Sequence, residues 1–80
     1  MSWFIYMIRA DDDSLYTGIT TDVDRRFEEH RAGPKGAAYF NGRKPLEIVF
    51  TEQHPDRATA SRREAEIKKL KRSQKVALCL

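Results

Sequence analysis

The 80 residues predict an α+β fold, a three-stranded antiparallel sheet flanked by helices. Three observations lead there. The chain opens on a continuous apolar run of strand length. An alternating segment follows across an acidic turn. The rest supplies two helix-like stretches separated by a third alternating segment.

The first run, Ser2 to Arg9 (SWFIYMIR), is rich in aromatic and branched residues and lacks a polar face. It predicts a strand buried on both sides, hence the central one. Ala10 to Ser14 (ADDDS) reads as a turn, with Asp11, Asp12 and Asp13 a solvated tip rather than a cation site. Leu15 to Thr20 (LYTGIT) alternates and completes a β-hairpin. Thr21 and Asp24 resemble a capping box at the start of a helix that Gly33-Pro34 stops. The stretch KGAAYFNGR reads as irregular with room for one helical turn. Pro45 to Glu52 (PLEIVFTE) reads as the third strand, with Leu46, Ile48 and Phe50 on one face. His54 falls in a surface turn, Asp56 is an N-cap, and residues 57–75 form one long basic helix. VALCL is an apolar tail placed to pack back on the body.

A chain of this length predicts one domain, 1–80, with a small core. The lone Cys79 permits no intramolecular disulfide and reads as a small apolar residue. No apolar run is long enough to span a membrane and no leader precedes one, so a cytoplasmic protein is expected, as a monomer or weak homodimer. Charge is divided: residues 1–33 carry four Lys and Arg against seven Asp and Glu, residues 34–80 eleven against five. The basic half suits a polyanion. Lys68, Lys69, Lys71, Arg72 and Lys75 are the candidate nucleic-acid contacts. Zinc-type Cys/His spacing, P-loop and dinucleotide fingerprints are all missing.

Two features of the residue pattern call for chemistry. On the first helix the inward stripe from Val23 reads Val23, Arg26, Phe27, His30, which places an arginine and a histidine where apolar residues belong. The bland alternative is a snorkelling arginine and a satisfied core histidine. In the hairpin, Tyr6 and Tyr16 share a face only if the loop has an odd number of residues. With a loop of five, Arg9 to Asp13, they are direct cross-strand partners. With a loop of three, Asp11 to Asp13, Tyr6 pairs with Gly18 and Tyr16 is the next residue on that face. With an even loop they point to opposite faces. The odd case puts Phe4, Tyr6, Ile8, Tyr16 and Gly18 on one face. Gly18 then leaves a bare patch that a ligand could approach. On the last helix, Arg63 and Glu64 border the stripe of Ala60, Ile67 and Leu70, and Lys68 is the ready partner for Glu64.

The order of these residues resembles the GIY-YIG nuclease superfamily over nearly the whole chain. The first motif is Phe4-Ile5-Tyr6 and the second Tyr16-Thr17-Gly18. Arg26 lies ten residues after the second-motif tyrosine and His30 four further on. REAEIKKLK places Glu64 at the family's metal-binding glutamate. Phe4 replaces the first-motif glycine, and Ile19 stands where some members carry lysine. The match is closest to the small stand-alone bacterial members, most of them uncharacterised. The resemblance implies a GIY-YIG endonuclease-like fold with catalytic Tyr6, Tyr16, Arg26, His30 and Glu64, with Arg26 also binding the nucleic-acid phosphate, and with Gly18 structural at the site. It implies one divalent ion, Mg²⁺ or Mn²⁺, on Glu64, and hydrolysis of DNA phosphodiesters in repair or processing, RNA remaining open. The alternative is a nucleic-acid-binding module that keeps the fold but cuts little or not at all. Either tyrosine can be the base on this reading.

Overall fold

The computed structural model describes residues 2–33 and 38–80. The elements run β1 (Trp3–Ala10), β2 (Leu15–Thr20), α1 (Val23–Ala32), a 3₁₀ turn (Ala38–Phe40), β3 (Pro45–His54), α2 (Arg57–Lys68) and α3 (Arg72–Leu78). The sheet is antiparallel in the order β2-β1-β3, which puts the apolar first strand in the middle. Ile5, Tyr6, Met7 and Ile8 are all buried, because each face of β1 is covered by a helix. On one face Ile5 and Met7 pack with Ala60 and Ile67 of α2, joined by Trp3, Leu15, Ile19, Leu78 and Cys79. The other face carries Tyr6, which meets His30 of α1.

The hairpin loop has three residues. Tyr6 lies opposite Gly18 and Ile8 opposite Tyr16, so the tyrosines share a face. Asp13 adopts φ 68°, the left-handed residue that closes such a loop, with Asp13 N donating to Ala10 O at 2.9 Å. The acidic tip is exposed but tied. Asp11 accepts from Lys44 N at 3.0 Å, Asp12 pairs with Arg43 Nε at 2.8 Å, and Asp13 pairs with Arg72 Nη2 at 3.2 Å. It is a junction between remote segments rather than a merely solvated turn.

Four local expectations are corrected. The N-cap of α1 is Asp22, not Thr21: its carboxylate accepts from Arg25 N at 3.0 Å while the Thr20 hydroxyl holds Asp22 N. The alternation in β3 fails because pairing shifts register between Met7 and Ile8 and again between Arg9 and Ala10. Phe50 therefore opposes Met7, Ile48 opposes Ile8 on the other face, and Leu46 is left exposed, as β-bulges require. His54 is the last residue of β3, half-buried, with Nε2 2.8 Å from Glu52 Oε1. The long helix is broken: α2 ends at Lys68 and α3 begins at Arg72, the Lys71 backbone extended and its N–H donating to Gln74 Oε1 at 2.9 Å. The break folds the apolar tail back, so that Leu78 and Cys79 reach the core as expected. The stop at Gly33 (φ 112°) and the Asp56 cap on Thr59 N follow expectation; Pro34 and residues 35–37 lie outside the described residues. Among the described residues no helix is long and apolar enough to cross a membrane.

Candidate active site

Strand pairing and the α1 stripe bring three of the expected residues into contact. Tyr6 rises from the centre of β1 with its hydroxyl 2.9 Å from His30 Nε2, and the two side chains are 1% and 3% exposed. Tyr16 stands beside them, half-buried, its ring centroid 6.2 Å from Tyr6 and 5.3 Å from His30. The stripe Val23, Arg26, Phe27, His30 does turn inward, with the polar residues at the tyrosine end. Gly18 corrects the bare-patch expectation. A Cβ there would lie 2.6 Å from Tyr6 Oη and 2.7 Å from Cζ, so the phenol already occupies that space. The glycine seats the tyrosine ring, an arrangement in which an aromatic covers a cross-strand glycine.

The electrostatics fix the state of Tyr6 and His30. Burial pushes Tyr6 up to about 12, neighbouring Tyr16 adds to this, and Arg26 pulls against it. Burial likewise pushes His30 down to about 4, reinforced by the Arg26 charge and opposed by Glu29. At neutral pH the pair is therefore a protonated phenol and a neutral imidazole. A guanidinium only donates, so the Tyr6 oxygen accepts from Arg26, and the same hydroxyl lies 2.9 Å from His30 Nε2. Tyr6 thus serves as a fixed hydrogen-bonding group rather than a base. This predicts a stability loss in acid. The unfolded chain takes up a proton on this histidine near pH 6.5, whereas the folded chain resists until about 4. Stability attributable to His30 is complete above 6.5 and is lost as pH falls toward 4, by about 3 kcal/mol as an order of magnitude. Urea unfolding across this range checks it: His30→Phe is expected to flatten that part of the profile.

Arg26 is part-exposed, its Nη1 3.1 Å from Glu29 Oε1, and it also bonds the Tyr6 phenol. Glu64 belongs to the other layer, since α2 covers the Ile5 and Met7 face of the sheet. Arg63 and Glu64 flank the buried Ala60–Ile67 stripe on opposite sides. Arg63 turns to β3, with Nε 3.2 Å from Glu52 Oε1, so Glu64 turns toward β2, the outer strand that carries Tyr16. Its carboxylate is half-buried and lies 3.3 Å from Lys68 Nζ. Among the described residues no three His, Cys, Asp or Glu side chains gather into a metal-holding group. A lone carboxylate completed by water and phosphate oxygens is nevertheless a donor set that Mg²⁺ accepts, and an ammonium already sits where such an ion would bind. The residues present fit one divalent ion on Glu64.

Of the basic candidates, Lys68 is held by Glu64 and Arg72 by Asp13, while Lys69 and Lys71 are exposed at the α2–α3 corner and Lys75 is half-buried. The cations thus mark a bend rather than one helical stripe. The helical turn expected in KGAAYFNGR is the 3₁₀ turn Ala38–Phe40, but sequence reasoning missed that its aromatics join the site. Phe40 stacks 4.8 Å from His30 and 5.2 Å from Tyr16, and Tyr39 packs 5.2 Å from Tyr16 beneath the Arg43 guanidinium, 4.3 Å from its ring centroid. Two adjacent aromatics in an otherwise glycine-flanked polar loop were the available signal.

Comparison with known proteins agrees with this geometry. The profile described as the GIY-YIG catalytic domain matches residues 2–77. The chain is 47% identical over 76 residues to the UPF0213 protein YhbQ of Escherichia coli, covering 95% of this chain and 75% of the relative. It is 44% identical over 77 residues to a UPF0213 protein of Desulfotalea psychrophila, covering 96% and 70%. The solution NMR structure of a UPF0213 protein from Bacillus halodurans superposes with a TM-score of 0.61 at 45% identity, covering 98% of this chain and 82% of that one. With the profile spanning almost the whole chain and the tyrosine, arginine and histidine positions meeting in space, this protein belongs to the GIY-YIG family.

Proposed function

We propose that the chain is a divalent-metal-dependent endonuclease that hydrolyses DNA phosphodiester bonds in repair or processing. The supporting observation is the graded cluster on one face of the hairpin. A buried Tyr6–His30 pair holds a half-buried Tyr16 and a part-exposed Arg26, with Glu64 turned toward the same outer strand. In this reading Glu64 would hold Mg²⁺ or Mn²⁺, which when bound supplies positive charge at the phosphate. Arg26 binds phosphate oxygens and neutralises the charge that develops there. Tyr16, the phenol that reaches solvent, orients the attacking water and, as the phenolate, takes up the proton that the water loses. Tyr6 and His30 are positioning residues: their hydrogen bond fixes the wall against which Tyr16 packs.

The decisive experiment is a cleavage panel of single-stranded, duplex, flap and branched DNA plus RNA, with Mg²⁺, Mn²⁺ or a chelator. Metal-dependent cutting of at least one substrate supports the reading. Binding without cutting of any of them gives the lead to the nucleic-acid-binding module. Under either reading Lys69, Lys71 and Lys75 should bind phosphate without regard to sequence. Duplex affinity measured by anisotropy at rising salt should fall with a log–log slope of about 0.9 per phosphate neutralised. A flat salt dependence would count against this surface.

A further inference from the structure

We infer that the groove between the hairpin and α3 is a stacking site for an unpaired nucleobase next to the reacting phosphate, so that the preferred ligand is DNA with a single-stranded stretch joined to duplex. The inference rests on the nucleic-acid reading above. The groove is lined by Ser14, Leu15, Tyr39, Arg72 and Lys75 and has a volume of about 150 Å³. That is well below the roughly 300–1,000 Å³ of pockets for whole drug-sized ligands, and it matches one planar ring better than an enclosed nucleotide.

Its walls divide by chemistry. Tyr39 offers a ring that is held in place, since Tyr16, Phe40 and the Arg43 guanidinium all pack against it. A ring fixed in this way loses little freedom when a base stacks on it. The lining also carries two cations: Arg72 is held by its bond to Asp13, and Lys75 lies one turn further along α3. An aromatic ring in the same groove as two cations suits a base attached to its phosphate, and stacking needs no sequence readout. Continuity with the candidate site sets the position. Tyr39 touches Tyr16 directly, with ring centroids 5.2 Å apart, so a base on Tyr39 flanks a phosphate at Tyr16. A duplex end with both strands paired keeps its bases stacked on each other and leaves the platform unused.

The test uses the full chain carrying Glu64→Gln, so that substrate survives, and a duplex with a short single-stranded overhang containing 2-aminopurine, whose emission falls when it stacks. A blunt duplex of the same length is the reference. The overhang DNA should bind more tightly than the blunt one and lose emission. Tyr39→Leu, which keeps apolar packing but removes the π face, should abolish the quenching and weaken overhang binding by about 5- to 100-fold. Blunt-duplex affinity should be unchanged, and Tyr39→Trp should retain the preference. If Tyr39→Leu fails to fold, a titration of the unmutated chain with a single-stranded tetranucleotide decides the matter: the amides of Leu15, Tyr39 and Lys75 should shift together in NMR spectra. Equal affinity of the parent for overhang and blunt DNA, or no shift at those amides, overturns the stacking site and leaves the wider nucleic-acid reading intact. No binding to either DNA at low salt overturns both.

Discussion

Glu64→Ala is expected to bring metal-dependent cleavage to background while DNA binding stays level or tightens slightly. The carboxylate is the donor for the divalent ion in this reading, so its loss removes the ion's anchor. It also leaves the Lys68 ammonium, now 3.3 Å from that carboxylate, available to a phosphate. Arg26→Ala is the contrasting variant. It removes a phosphate partner and a stabiliser of developing charge, so both binding and cleavage should fall, cleavage by about 10²–10³ in rate. The two variants therefore separate an enzyme from a binder. Wild-type cleavage by Glu64→Ala would show that the metal ligand, or the reaction class, is misassigned. Each variant needs a thermal melt beside it, because Arg26 also supports the Tyr6 phenol.

Gly18→Val should lose both stability and activity, although it adds a β-branched residue to a strand, where such residues are ordinarily favoured. Even the first carbon of the new side chain would lie 2.6 Å from a phenol that cannot retreat, because its hydroxyl is fixed by His30 and its ring is buried. Overpacking of this kind costs about 1–3 kcal/mol, and loss of the buried hydrogen bond adds about 1 kcal/mol. Gly18→Ala should show the same direction with a smaller effect. Urea unfolding measures the stability term, and the His30 imidazole resonance reports whether the phenol has moved. An unchanged melt and an unchanged His30 signal would mean that the ring is free to leave the glycine.

What the sequence made legible follows from periodicity. The stripe from Val23 to His30 depends only on the repeat length of a helix and turned Arg26 and His30 inward, while the repeat of a strand tied the tyrosines to one face on the condition of an odd loop, which the register meets. What stayed hidden depends on contacts between distant segments. The break at residues 69–71 has no glycine or proline to announce it. It is made by the Lys71 backbone and the Gln74 side chain, and by the core drawing in Leu78. The phase of β3 was lost because a bulge leaves no mark in a run of apolar residues. Gly18 looked empty because strand pairing names Tyr6 as its partner but does not say that the ring leans over the glycine. The layer occupied by Glu64 could not be read from its own helix. It took the bond from Arg63 to Glu52 to show which way that side chain turns.

The tied aspartate tip has a consequence for anyone who engineers this chain. A short exposed hairpin is ordinarily the place to graft a tag, a reporter or a second domain. Here the three loop residues clasp the start of β3 through Lys44 and Arg43, and the start of α3 through Arg72. Asp11 and Lys44 also exchange a backbone bond, Asp11 N to Lys44 O at 2.9 Å. Single exposed ion pairs contribute little, but a graft at this position would sever all of these ties together. It would release both the third strand's entry and the terminal helix. Fusion partners belong elsewhere, and a hairpin graft that splits the chain's halves would itself serve as a switch for taking the fold apart.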